Sequence, residues 1–100
     1  MGKAFVIRYE MRPETADENQ KLVENVFAEL SANNPEGVRY ASFRLDDGVT
    51  FVHVGMVDEG VNALAETAAF QEFQKTFGER AAGKPDVTGG TLLGAYGFDK

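Results

Sequence analysis

A chain of 100 residues with a net charge of -6 and no cysteine suits one domain, spanning 1–100, with a single core that needs no staples. Without thiols there is no disulfide framework, no thiolate nucleophile and no Cys-based zinc or iron–sulfur site. The acidity, with a pI near 4.7, opposes binding to nucleic acid or to an anionic membrane.

Met1 to Arg8 lack the basic-then-apolar pattern of a secretory leader, and no apolar run approaches the ~20 residues that span a bilayer. Val6 stands where an N-myristoylation motif wants Ser or Thr, so the expected location is cytoplasmic. Lys3 to Met11 reads as a strand, with Phe5, Ile7, Tyr9 and Met11 on one side and Ala4, Val6, Arg8 and Glu10 on the other. Arg12-Pro13 ends it. Thr15 with Glu18 has the spacing of a capping box, and the helix it opens carries Leu22, Val23, Val26, Phe27 and Leu30 as one apolar stripe, leaving Glu24, Asn25 and Glu29 for water. Asn33-Asn34-Pro35-Glu36-Gly37 stops that helix.

Two strands follow, Val38 to Leu45 and Val49 to Val57, joined across Asp46-Asp47-Gly48, where Asp47-Gly48 suits a two-residue type I′ turn. That turn sets a register in which Phe43 faces Val52, Ala41 faces Val54 and Arg39 faces Met56 on one sheet face. Arg44 with Phe51, Ser42 with His53, and Tyr40 with Gly55 share the other. After a polar break at Asp58 to Gly60, Asn62 is the expected cap of a second helical region in which Phe70, Phe73 and Phe77 form a stripe. Gly78 weakens that helix by about 1 kcal/mol, and Ala82-Gly83-Lys84-Pro85 closes it. Thr91 to Phe98 reads as the last strand, with Gly94 and Gly97 marking a bulge or close backbone approach.

The order is β-α-β-β-α-β, an α+β, ferredoxin-like arrangement: a four-stranded antiparallel sheet with two helices on one face. Both faces of the first strand and of the hairpin are substantially apolar, so a lone subunit would leave one face wet, and pairing sheet to sheet into a homodimer is the simplest remedy. RNA-recognition domains share the order, but Thr50 to Val57 lacks their basic and aromatic signature.

His53 is the only histidine. Two uses compete for it: a ring satisfied by backbone or Ser within an interface, and a general base or ligand contact. Ser42 beside it suggests a nucleophile with its base, yet no carboxylate can be placed to orient the imidazole and a flat strand pair offers no oxyanion hole. Tyr40, Ser42, Arg44 and His53 together can instead line a polar spot in an apolar chamber, with Arg44 alternatively pairing with Asp46 or Asp47 at the rim. Phe70, Phe73 and Phe77 are core packing first and pocket wall second. Gly78 to Lys84 has the spacing of a phosphate loop, but Pro85 replaces the magnesium-binding hydroxyl and the segment closes a helix rather than opening one. Asp46-Asp47 and Asp58-Glu59 lack the alternating oxygens of a calcium loop, and one histidine makes no iron triad, so no metal is expected.

Pro35-x-Gly37-x-x-Tyr40, Phe43-Arg44, the Asp46-Asp47 turn, Phe51-x-x-Val54 and Phe70-x-x-Phe73 resemble the antibiotic biosynthesis monooxygenase family over nearly the whole chain. The resemblance implies a dimeric α+β barrel with a ligand pocket between helices and sheet in each subunit. It also implies an activity seen in some members, oxygenation of aromatic compounds by molecular oxygen without metal or flavin, hence no cofactor. Many members carry a His before the Phe that aligns with Phe70, and this chain has Ala69; the haem-degrading branch needs a Trp, and this chain has none. For an oxygenase the resemblance leaves His53 as candidate catalytic residue, with Tyr9, Tyr40, Ser42, Arg44, Phe73 and Phe77 as ligand contacts and a small apolar or aromatic metabolite as ligand. The competing expectations are a non-catalytic binding or accessory domain of the same fold and an amino-acid-sensing module. An enzyme requires an open pocket around Phe73, Phe77, Tyr40 and His53.

Overall fold

The alternating segment at the start of the chain is strand β1 (Lys3–Glu10), which leads through a short 3-10 turn, Pro13–Thr15, into helix α1 (Ala16–Asn33). The computed structural model describes residues 3–57, 63–94 and 96. Thr15 sits at the N-cap of α1 but makes no capping hydrogen bond. Its hydroxyl is drawn instead to the carbonyl oxygens of Arg80 at 2.8 Å and Arg12 at 3.1 Å, so the expected capping box gives way to a tertiary tie. The stripe of α1 that is buried most deeply runs Ala16, Asn19, Val23 and Val26. Asn34 ends the helix in the left-handed conformation, φ 46°, and its N–H donates to the Leu30 carbonyl at 2.7 Å.

Strands β2 (Val38–Arg44) and β3 (Thr50–Val57) form the expected hairpin in the expected register, from Arg39 opposite Met56 to Arg44 opposite Phe51. The turn differs. Type I′ needs positive φ at both central residues, and here Gly48 alone has it, at φ 82°, with its N–H closing onto the Leu45 carbonyl at 3.0 Å. Asp47 accounts for this: its carboxylate accepts from the N–H groups of Val49 and Thr50 at 2.9 and 2.8 Å and from the Thr50 hydroxyl at 2.5 Å, an Asx turn that holds Asp47 at negative φ. The same bonds, the Thr50 hydroxyl foremost, hold the Asp47 carboxyl below its usual pKa.

The second helical region is three short helices, α2 (Ala63–Glu66), α3 (Ala68–Lys75) and α4 (Phe77–Arg80). Thr67 makes the first break by capping α3, its hydroxyl accepting from the Phe70 N–H at 3.1 Å. Glu29 of α1, expected to face water, reaches the same helix start and accepts from the N–H groups of Ala68 and Ala69 at 3.1 and 2.9 Å. The expected cap Asn62 and the break at Asp58 to Gly60 lie outside the described residues.

Strand β4 is Asp86–Gly90, earlier than the predicted Thr91 to Phe98. The cause lies upstream: the Ala82 N–H donates to the Glu10 carbonyl at 2.8 Å, and Met11 bridges Ala81. The chain therefore leaves α4 already alongside the end of β1, and pairing runs from Arg8–Asp86 to Ala4–Gly90. Thr91 to Gly94 carry no strand, and Ala95, Gly97 and Phe98 lie outside the described residues.

The four strands are antiparallel in the order β2-β3-β1-β4, the ferredoxin-like order, and the helices cover one face. That face carries Phe5, Ile7 and Tyr9 of β1, Phe51, His53 and Gly55 of β3, and Tyr40, Ser42 and Arg44 of β2. A Cβ on Gly55 would overlap the Phe5 ring, so a larger residue there would have to displace it. The core lies between this face and the helices and includes Tyr9, Met11, Val23, Val26, Phe51 and Phe73. The opposite face presents Val6, Phe43 and Val54, each more than a third exposed. Among the described residues no helix is long and apolar enough to cross a membrane.

Candidate functional site

His53 lies opposite Ile7 on β1 and opposite Ser42 on β2. Tyr9 and Tyr40 are each two residues further along those neighbouring strands, diagonal positions that an aromatic side chain can span. Both reach it. The Tyr9 hydroxyl lies 2.6 Å from His53 Nε2 and the Tyr40 hydroxyl 2.5 Å from Nδ1. The imidazole is thus held at both nitrogens by phenols, and it is only 2 % exposed.

The network continues into the helices. Asn19 Nδ2 of α1 donates to the Tyr9 hydroxyl at 3.0 Å, and Arg80 Nε of α4 donates to Asn19 Oδ1 at 3.1 Å. Arg80 is itself 1 % exposed. Its remaining donors go to the Phe73 carbonyl at 3.0 Å and to the Thr76 hydroxyl, and its guanidinium lies over the Phe73 ring, 5.2 Å from the centroid. No carboxylate lies within ion-pair distance of it among the described residues. A buried cation satisfied by neutral acceptors and a ring face is unusual, since burial without a counter-ion opposes the charged form. Burial accordingly lowers the Arg80 pKa, while Glu18, Tyr9, Glu79 and Glu72 act from further away to raise it.

Aromatic side chains wall the network. Tyr9 stacks on Phe51 at 5.6 Å and meets the edge of Phe77 at 4.9 Å; Phe73 packs 5.7 Å from His53; Tyr40 stacks on Phe27 at 5.2 Å. Such surroundings penalise charge on the groups they enclose. Burial pulls the His53 pKa from 6.5 down to about 4, so the ring is neutral at neutral pH. Burial pushes the Tyr9 phenol up to about 12 against the pull of Asn19 and Arg80, and burial with Tyr9 as neighbour raises Tyr40 well above the usual phenol value.

The structure brings Tyr9, Tyr40, His53, Phe73 and Phe77 together. It separates Arg44, whose guanidinium donates to Asp17 at 3.0 Å, to Gln20 at 2.6 Å and to the Gly48 carbonyl at 2.9 Å. Arg44 therefore ties β2 to the start of α1 rather than pairing with Asp46 or Asp47. Ser42 shares the face of His53, but its buried hydroxyl has no hydrogen-bond partner among the described residues, so neither a Ser–His pair nor a Ser-satisfied histidine forms. His53 also points into the helix-covered interior, away from the exposed sheet face expected to be the interface.

Asn19 and Arg80 were missed by sequence reasoning. Each had a signal: Asn19 continues the stripe Ala16, Val23, Val26, and Arg80 continues the three- and four-residue spacing of Phe70, Phe73 and Phe77. A cleft of about 300 Å³ is lined by Gly37, Val38, Arg39 and Met56, and one of about 270 Å³ opens between the end of β1, Arg8, Tyr9 and Glu10, and the segment Ala82, Gly83 and Lys84 with Asp86. Neither is lined by His53, Tyr40, Phe73 or Phe77, around which an enzyme's pocket was expected. Among the described residues no group of three or more His, Asp or Glu side chains could hold a metal ion.

No protein-family model matches the chain, and neither does any curated protein. Solved structures do. A protein from Caulobacter crescentus named after the antibiotic biosynthesis monooxygenases is 22% identical, with 93% of this chain and 91% of that one covered at a TM-score of 0.74. One from Nitrosomonas europaea, similarly named, is 15% identical over 92% and 90% of the two chains at a TM-score of 0.75. A variant of SnoaB, a cofactor-independent oxygenase from Streptomyces nogalater, is 13% identical over 96% and 97% at a TM-score of 0.69. At such identities the likeness is one of fold, and the chain has the ferredoxin-like α+β fold of the antibiotic biosynthesis monooxygenase structures.

Proposed function

We propose that this domain binds a small, largely apolar aromatic compound bearing a ring oxygen and handles a proton at that oxygen through Tyr40 and His53, as a cofactor-independent oxygenase requires. The observation that carries this reading is a neutral imidazole bonded at both nitrogens to phenols inside an aromatic wall. Molecular oxygen takes an electron from an aromatic ring most readily when the ring oxygen carries negative charge, so the protein's task is to move or share one proton there. An imidazole with a pKa of about 4 is a poor base alone. Between two hydroxyls it can accept at one nitrogen while donating at the other, which orients the Tyr40 phenol to share its proton with a ligand oxygen. The chain ends at Tyr9 against the Asn19 amide, so the proton is shared at the ligand rather than carried away. Tyr40, less buried than His53, is the end of the network at which a ligand would bind. Because it lines neither cleft, binding there requires the side chains around it to open, and the Ser42 hydroxyl on the same sheet face would then offer a second polar contact.

The test is oxygen uptake by the purified protein with a panel of hydroxylated aromatic compounds. Tyr40→Phe and His53→Ala are expected to lower kcat by about 100-fold or more, the usual scale of proton-transfer catalysis, while circular dichroism stays native. Turnover that survives both substitutions would overturn the reading.

A second reading treats the network as a polar pin joining helices to sheet, and the 2 % exposure of His53 favours it. It predicts that His53→Ala lowers stability with no separable chemical defect. Under either reading a second copy of the chain covers the exposed sheet face, where Val6 and Ala41 flank Val54 and Phe43 pairs with Val52. Contiguous apolar surface of that kind favours pairing sheet to sheet.

A further inference from the structure

Hydrogen-bond donors and acceptors in this network are not free to choose their roles, and the constraint starts at Arg80. A guanidinium can only donate. Arg80 Nε therefore fixes the facing atom of Asn19 as Oδ1, which turns Nδ2, again only a donor, toward the Tyr9 hydroxyl. Tyr9 accepts that bond, and its own proton then has one acceptor within reach among the described residues, His53 Nε2 at 2.6 Å. A neutral imidazole carries one N–H. With Nε2 accepting, the proton sits on Nδ1 and is donated to the Tyr40 oxygen at 2.5 Å. The opposite order would make Tyr9 accept twice and leave its buried hydroxyl proton, on a residue 3 % exposed, without an acceptor.

We infer that Arg80 and Asn19 are positioning residues that set the direction of the chain Arg80, Asn19, Tyr9, His53, Tyr40, fix His53 as the Nδ1–H tautomer, and thereby leave the Tyr40 hydroxyl proton as the donor that this chain offers to a ligand. The direction stands on geometry alone, whereas its use on a ligand rests on the function proposed above. It narrows the ligand to compounds presenting an acceptor oxygen, a carbonyl or a phenolate, at the Tyr40 end. It also explains why a cation is buried without a carboxylate. A carboxylate in place of the Asn19 amide would satisfy Arg80 equally well but would accept from Tyr9 and reverse every bond beyond it.

Asn19→Asp is consequently the test, since it is nearly isosteric and gives Arg80 a counter-ion. Heteronuclear NMR of the His53 ring at neutral pH distinguishes a protonated, pyrrole-like nitrogen from a bare, pyridine-like one. In the unaltered protein Nδ1 is expected to be pyrrole-like and Nε2 pyridine-like, and in Asn19→Asp the two are expected to exchange. A pyrrole-like Nε2 in the unaltered protein, or a tautomer unchanged in a folded Asn19→Asp, would overturn the inference. Should that variant not fold, Tyr9→Phe removes the bond that transmits the direction, and a tautomer as fixed as before would overturn it equally. These readouts need no turnover. A protein with the expected tautomers but no oxygenase activity would therefore count against the proposed function and not against the direction of the chain.

Discussion

His53 gives the molecule a pH dependence whose sign and size follow from its surroundings. In the unfolded chain the imidazole titrates near 6.5, and in the folded one burial lowers this to about 4. Between those values the unfolded state binds a proton that the folded state refuses, so the contribution of the neutral ring is fully present above pH 6.5 and is lost as the pH falls. At ~1.4 kcal/mol per pH unit of separation, the loss reaches roughly 3 kcal/mol near the lower value and then levels off. That is a large share of a typical domain's 5–15 kcal/mol. Carboxylates titrate over part of the same range, so the measurement is a difference: urea unfolding of the unaltered protein and of His53→Gln, at neutral pH and near pH 4, at one fixed protein concentration because any dimer would add its own dependence. Gln keeps one donor and one acceptor but does not titrate. The unaltered protein should lose roughly 3 kcal/mol more than the variant on acidification. Equal losses would mean that His53 is not buried as a neutral ring, and the account of the site would fall with it.

Two further outcomes follow from contacts outside the site. Glu29→Ala removes the carboxylate that accepts from the first N–H groups of α3; a cap of this kind is worth about 1 kcal/mol, and Glu29→Ala combined with Thr67→Ala should cost less than the separate losses added together, because both cap one helix start. Strict additivity in denaturant midpoints would refute the shared role. Val54→Lys places a charge in the middle of the exposed apolar face while leaving the helix-covered face untouched; sedimentation should then report a monomer that retains native circular dichroism, whereas an unchanged association state would exclude this face as the interface.

The sheet was legible in the sequence where the determinants are local. Alternation in β1 and a glycine after Asp46-Asp47 specify strand faces and hairpin register, and the register held even though the turn itself is not type I′. The Asp47 side chain replaced the backbone solution with its own bonds without changing which residues lie opposite each other. The last strand was misplaced because its position is not a local property. Asp86–Gly90 contains a single large apolar residue, Val87, itself exposed, and it pairs with β1 only because Ala81 and Ala82 are already fastened to Met11 and Glu10. Thr91 to Phe98 has the better strand composition, but the pairing with β1 is made by Asp86–Gly90.

The site divides along the same line. Tyr40 and His53 could be placed on one sheet face because the hairpin register delivers it, whereas Tyr9 was named only with the family resemblance, and the β1–β3 pairing that brings it to His53 is not set by the hairpin. Asn19 and Arg80 sit on helices whose angle against the sheet no short stretch of sequence specifies, and their polarity argued for solvent. Polar residues that interrupt an apolar stripe at the stripe's own spacing have only two outcomes, exposure of the stripe or burial of the polar group with a partner. Arg80 and Asn19 take the second together, each the partner of the other, and neither can be buried alone without an unsatisfied group. A mutual dependence of this kind, between residues 61 positions apart, invites a chemical role. Core packing alone would be served as well by two apolar side chains, as replacements of buried ion pairs in other proteins demonstrate, whereas a directed hydrogen bond to Tyr9 and His53 would not.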